Sequence, residues 1–160
     1  MEIALAGRAW VPQPLHPRPV MAGLQTAKVT GPKDEKIHCD EHGRVKVVFR
    51  WDRAGTAKYD KEPSDGTSCW LRVIQPWAGA WGGTWFLPRV GDEVVVAFLE
   101  GDPDRPIVVG SVYSADAPVP FKMPTNKSQS GFVTRSYKSD SAEDANMFMF
   151  EDKKGNELVF

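Results

Sequence analysis

Cysteine is scarce in this chain: Cys39 and Cys69 are the only two among 160 residues. Two thiols allow one bridge at most, so no disulfide framework holds the fold, and both are read as reduced thiols. Neither sign of charge dominates, with 20 Lys and Arg against 21 Asp and Glu. A general nucleic-acid binder needs a basic excess on its binding face, and this balance leaves room only for a local patch. Long apolar runs are missing as well. No stretch approaches the roughly 20 apolar residues of a membrane-spanning helix. The first ten residues, Met1 to Trp10, lack the charged start and apolar run of a secretory leader, so export without a cleaved signal is the expectation. Amphipathic helical patterning is absent too. Against these absences stands a hydrophobic content of 41%, which is enough for a packed core and argues against wholesale disorder.

The apolar residues are arranged for strands. Pro12, Pro14, Pro17 and Pro19 forbid a helix or a central strand at the start, so residues 1–20 read as an extended linker. Gly23 to Val29 reads as a first strand, and Lys36 to Cys39 as a short one. In Arg44 to Trp51, Val45, Val47, Phe49 and Trp51 are set to point one way and Arg44, Lys46 and Arg50 the other, the period of a half-buried strand. Asp52 to Thr67 is polar and rich in turn formers. Cys69 to Gln75, Glu93 to Leu99 and Pro106 to Tyr113 are further strands. The last two are apolar on both faces and therefore call for cover on both sides. Pro76 to Gly91 is a glycine- and tryptophan-rich loop. Such a pattern predicts a small all-β barrel or sandwich. Residues 116–129, with Pro118, Pro120 and Pro124, read as a second linker. Asn146 to Glu151 and Glu157 to Phe160 then form two short strands. An isolated hairpin is marginal in water, so this tail expects more chain, or copies of itself, to pack against.

Constellations that carry chemistry are thin. His38, Cys39 and His42 are metal-ligand types, but a stable zinc site takes three or four ligands and no second cluster follows. Asp92, Glu100, Asp102 and Asp104 lack the ligand spacing of a calcium loop and suit turns. No serine sits in a nucleophile elbow and no glycine-rich loop ends as a phosphate cradle does. The reading is therefore a non-enzyme with no metal and no cofactor. Trp77, Trp81 and Trp85 recur every fourth residue among Gly79, Gly82 and Gly83. They suit packing against another subunit, or else stacking on a glycan or similar ligand.

Several ordered motifs point to a family. They run from Pro19 to Ala27, from Ile37 to Val47 with Asp40-Glu41-His42-Gly43-Arg44 at its centre, and from Phe49 to Arg53. Cys69 to Val73, Gln75 to Gly79, Phe86 to Val94 and Phe98 to Pro106 follow, and Phe150 to Gly155 extends the series. Together they resemble the VgrG family, the spike proteins of bacterial type VI secretion systems, related to the cell-puncturing hubs of contractile phage tails. The resemblance implies a five-stranded OB-type β-barrel over residues 21–115 and the start of a trimeric β-prism stalk over 130–160. It also implies that 1–20 leads out of a base domain. The implied role is structural, a homotrimer joining base to needle. Its implied partners are a secretion tube protein at the base, and a tip protein and effectors at the needle end. It would touch a target membrane transiently and bind no nucleic acid. The implied history is assembly in the bacterial cytoplasm followed by export through the secretion machine. Within such a trimer Trp77, Trp81 and Trp85 would face a partner, and Phe148, Phe150, Leu158 and Phe160 would point inward.

Overall fold

The computed structural model describes residues 16–53, 66–139, 141 and 143–160. Most of the N-terminal linker and the centre of the polar loop after Trp51 lie outside these residues. Among the described residues the architecture is all-β, with one 3₁₀ turn at Leu99–Gly101 and no helix long and apolar enough to cross a membrane. The strands are β1 (Gln25–Thr30), β2 (Lys46–Phe49), β3 (Arg72–Val73), β4 (Ala78–Gly79), β5 (Gly82–Gly83), β6 (Glu93–Phe98), β7 (Pro106–Val112), β8 (Gln129–Arg135), β9 (Ala145–Glu151) and β10 (Leu158–Val159).

Five strands form one sheet in the order β2-β1-β6-β7-β3, antiparallel except for β3 against β7. Its two outer strands are brought together by a bridge between Val45 and Leu71, whose N–H and C=O groups exchange bonds of 2.9 and 2.8 Å. The sheet thus curls into a partly open five-stranded barrel, the OB-type arrangement. Its curl is helped by a bulge in β7: Val95 pairs with Gly110 and Val96 with Val108, which leaves Val109 unmatched.

Alternation explains the core. Ala27 and Val29 of β1, Val45, Val47 and Phe49 around β2, Leu71 beside β3, Val94 and Val96 of β6 and Val108 of β7 are buried together. Their sequence neighbours point away, as a pleat demands. Phe49 stacks on Trp51 at 5.0 Å, which fits their shared side of the strand, although Trp51 stays exposed.

Three expectations are corrected. Lys36 to Cys39 forms no strand; His38 instead sets its ring 5.0 Å from that of Trp70. Only Arg72–Val73, with the Leu71 bridge, is strand within Cys69 to Gln75. The glycine-tryptophan loop is partly ordered, because Ala78–Gly79 pairs with Gly82–Gly83 in a small hairpin.

The C-terminal sheet has three strands in the order β10-β9-β8. β8 falls in a stretch where the residue pattern marked no strand. Gly131 allows its close pairing: a Cβ there would stand 2.1 Å from the Phe148 carbonyl oxygen.

Candidate functional site

Two apolar surfaces and one joint stand out. The first surface is the tryptophan hairpin. Trp81 sits in the two-residue turn of the β4–β5 hairpin and is fully exposed. Trp77 is exposed as well, but its ring lies against Gly82, and its carbonyl accepts the Thr84 N–H at 2.9 Å. Trp85 is anchored from the other side. A Cβ on Gly43 would fall 1.9 Å from the Trp85 ring, so the indole rests on the bare Gly43 backbone. That glycine also has φ +67, a left-handed conformation that glycine adopts without strain. Asp40 builds the turn beneath: its Oδ1 accepts the His42 and Arg44 N–H groups at 3.0 and 2.9 Å, and its Oδ2 accepts from Arg44 Nε at 2.6 Å. Burial pushes the Asp40 carboxyl up, but the bonds from Arg44 and His42 outweigh it and hold the group below its usual range. The three tryptophans therefore share one region, yet no two of their rings stack among the described residues.

The second surface is the C-terminal sheet, which is apolar on both faces. Phe132 pairs with Phe148, Ser130 with Phe150 and Val159 with Phe150, so Phe132, Phe148, Phe150 and Val159 share one face. Leu158 pairs with Glu151, and Phe160 exchanges backbone bonds with Met149 at 2.8 and 2.9 Å. Leu158 and Phe160 thus lie on the opposite face, with Met147. The four candidates Phe148, Phe150, Leu158 and Phe160 are split two and two, where the sequence expectation set them on one inward side. All four are exposed, Phe160 to 65%. Phe148 and Phe150 meet edge to face at 5.0 Å.

The joint between barrel and C-terminal sheet was not legible in the residue pattern, since its partners lie far apart in sequence. Phe86 stacks on Phe132 at 5.6 Å with rings nearly parallel. Arg89 donates to the Arg135 carbonyl at 2.7 Å. Tyr137 donates to Glu35 at 2.7 Å, and Lys138 Nζ lies 3.5 Å from the same carboxylate. The Tyr137 hydroxyl, and then the Lys138 charge, hold Glu35 below the usual carboxylate range. Glu35 in turn pushes up Tyr137, through their hydrogen bond, and Lys138, through its charge.

The sign of the pH response follows. A depressed carboxylate contributes stability that is present above its unfolded value of about 4.3 and is lost as pH falls through the folded one. The raised phenol and ammonium contribute stability present below about 10 and lost as pH rises beyond their folded values. The joint is exposed, so the effect is small. Amide exchange at Arg135 to Lys138, corrected for intrinsic rates, should lose protection about two- to threefold below about pH 4. Glu35→Gln should abolish that acid-side change. Protection that stays flat in the unmodified chain would show that the contact carries no energy.

Among the described residues, no group of three or more His, Cys, Asp and Glu is placed to hold a metal ion. Cys39 and Cys69 are free and exposed.

A curled five-stranded barrel with an apolar sheet attached is the architecture of an OB-type assembly module. Residues 25–113 match the family described as the type VI secretion system/phage-baseplate injector OB domain, and the chain belongs to that family. It is 48% identical over 155 residues to the type VI secretion system spike protein VgrG1b of Pseudomonas aeruginosa, covering 97% of this chain and 20% of that protein. It is 51% identical over 145 residues to the spike protein VgrG5 of the same organism, 91% of this chain and 17% of that protein. The actin cross-linking toxin VgrG1 of Vibrio cholerae is 40% identical over 151 residues, 94% of this chain and 13% of its own length. The chain spans about a fifth or less of the length of these relatives.

Proposed function

We propose that this chain is the joint of a trimeric puncturing spike in a type VI secretion machine, linking a base on the secretion tube to a needle. The observation that carries this reading is the C-terminal sheet with exposed aromatic and aliphatic side chains on both faces. Exposed apolar patches of this kind mark interaction surfaces, and a three-stranded sheet has no second layer of its own to cover them. Copies related by a three-fold axis supply the cover and leave few free strand edges. The barrel strands contribute as well: Val112 and Tyr113 at the end of β7 are exposed. In this reading the role is mechanical, and sheath contraction drives the needle into a target membrane. The spike assembles in the bacterial cytoplasm, meets its tip protein and effectors at the needle end, and leaves through the machine. This segment makes or breaks no bond of its own.

Light scattering on a chain carrying the whole stalk tests the reading. A mass of three copies is expected, and Phe148→Glu should return it to the mass of one by placing a charge in the apolar contact. A monodisperse monomer at high concentration in the unmodified chain would sink the trimer. The alternative, a glycan-binding barrel, rests on Trp77, Trp81 and Trp85. Trp81 alone is fully exposed, while Trp77 and Trp85 lie against Gly82 and Gly43, which is a poor stacking platform. A saturable fluorescence shift with cell-wall saccharide, abolished by Trp77→Ala and Trp81→Ala, would restore it.

A further inference from the structure

A surface cavity of about 320 Å³ opens where the turn before β2, the edge strand β3 and the β6–β7 turn meet. Arg44, Arg72 and Arg105 line it together with Trp70, Leu99 and Pro106. One carboxylate, Asp104, also borders the cavity, and it already accepts a 2.8 Å bond from Arg18. Two of the guanidiniums are held from behind: Arg44 by Asp40 at 2.6 Å, and Arg105 by Glu100 at 3.3 Å. Arg72 is exposed, and among the described residues its guanidinium makes no ion pair or hydrogen bond. Trp70 is fixed between other groups, with Lys46 Nζ 4.8 Å from its ring centroid and the His38 ring at 5.0 Å.

We propose that this cavity binds an acidic peptide segment of a partner protein, with Arg72 as the primary carboxylate anchor. A guanidinium fork matches a carboxylate in a bidentate way. Arg44 and Arg105 are partly neutralised but lie beside it, so a second carboxylate two to four residues along an extended segment meets a second positive group. Trp70, Leu99 and Pro106 supply apolar surface next to the forks, which suits glutamate, whose methylenes stand behind its charge. An anionic membrane surface is the weaker match. It is attracted by broad, unopposed positive clusters, whereas this chain carries a net charge of −1 and its cations here are interleaved with Asp40, Glu100 and Asp104.

Titration calorimetry of the chain with hexaglutamate, at low and at physiological salt, tests this directly. Saturable binding is expected, weaker at the higher salt. Arg72→Ala should weaken it about tenfold or more, and Arg72→Lys less, since the charge survives and the fork does not. Trp81→Ala should leave it unchanged. Inorganic phosphate and phosphatidylserine-containing vesicles form separate arms. Any of three results overturns the proposal: no saturable peptide binding, equal binding by Arg72→Ala, or tighter binding of phosphate or vesicles than of peptide. None of these outcomes depends on whether the chain forms trimers.

Discussion

Alanine in place of Gly131 should unpair β8 from β9 and release the C-terminal sheet while leaving the barrel folded. The added Cβ would lie 2.1 Å from the Phe148 carbonyl oxygen and 2.8 Å from the Met149 Cα. Both are backbone atoms of the paired strand, so no side chain can swing aside. The residue also holds φ +148, in the half of the map that costs an L-residue strain. A steric and conformational penalty of this kind is on the order of 3–5 kcal/mol, and a small sheet has little stability to absorb it. Hydrogen exchange resolves the result by region. Protection at Phe148, whose N–H faces β8 because that of Met149 is bonded to Phe160 on the other side, should collapse, and protection at Val94 and Val96 in the barrel should persist. Gly155→Ala is the control: it too has positive φ, but a Cβ there meets nothing within 4 Å, so its cost is limited to about 1–2 kcal/mol of backbone strain. Equal behaviour of the two variants would mean that the β8–β9 approach is looser than described.

The barrel was largely readable from alternation. Val45, Val47 and Phe49 are buried as period two required, although Trp51 of the same series is exposed and Val48 is buried out of phase, and Glu93–Phe98 and Pro106–Val112 fall where the apolar runs placed them. What alternation could not supply is register between strands. Phe148 and Phe150 share a face because they stand two positions apart. Leu158 and Phe160 share a face for the same reason. Whether the two pairs coincide depends on the turn between Glu151 and Leu158, and pairing Leu158 with Glu151 sends them apart. A one-residue slip would have united them. β8 was missed for a related reason. Ser130, Gly131 and Thr134 are small or polar, and their strand character comes from the partner across the ladder, as β propensity often does.

The candidate site divides along the same line. The glycines around Trp77 and Trp81 marked a loop, but the seat of Trp85 on Gly43 spans 42 positions and leaves no local trace. Phe86 against Phe132 and Tyr137 against Glu35 are likewise long-range. These contacts tie the sheet to the barrel, and in the proposed role as the joint of a spike they would resist bending.

Leu71→Ala should be the most damaging simple truncation in the barrel. Leu71 is 1% exposed and carries the bridge to Val45 that closes the curl between β2 and β3. Shortening it removes the transfer free energy of the lost atoms and leaves a cavity among Val45, Val47, Val94 and Val108, together worth about 2–5 kcal/mol. Its position adds to the effect. β3 is only two residues long and is held by β7 on one side, so slack at Leu71 reopens the seam as well as the core. Ile74, three residues on and 50% exposed, provides the comparison: Ile74→Ala should cost less than about 1 kcal/mol. Chemical denaturation of the two variants measures the difference. A midpoint shift of similar size for both would show that the seam is held elsewhere. A large shift confined to Leu71→Ala would locate the closure of the barrel at a single buried leucine and the backbone bridge it carries.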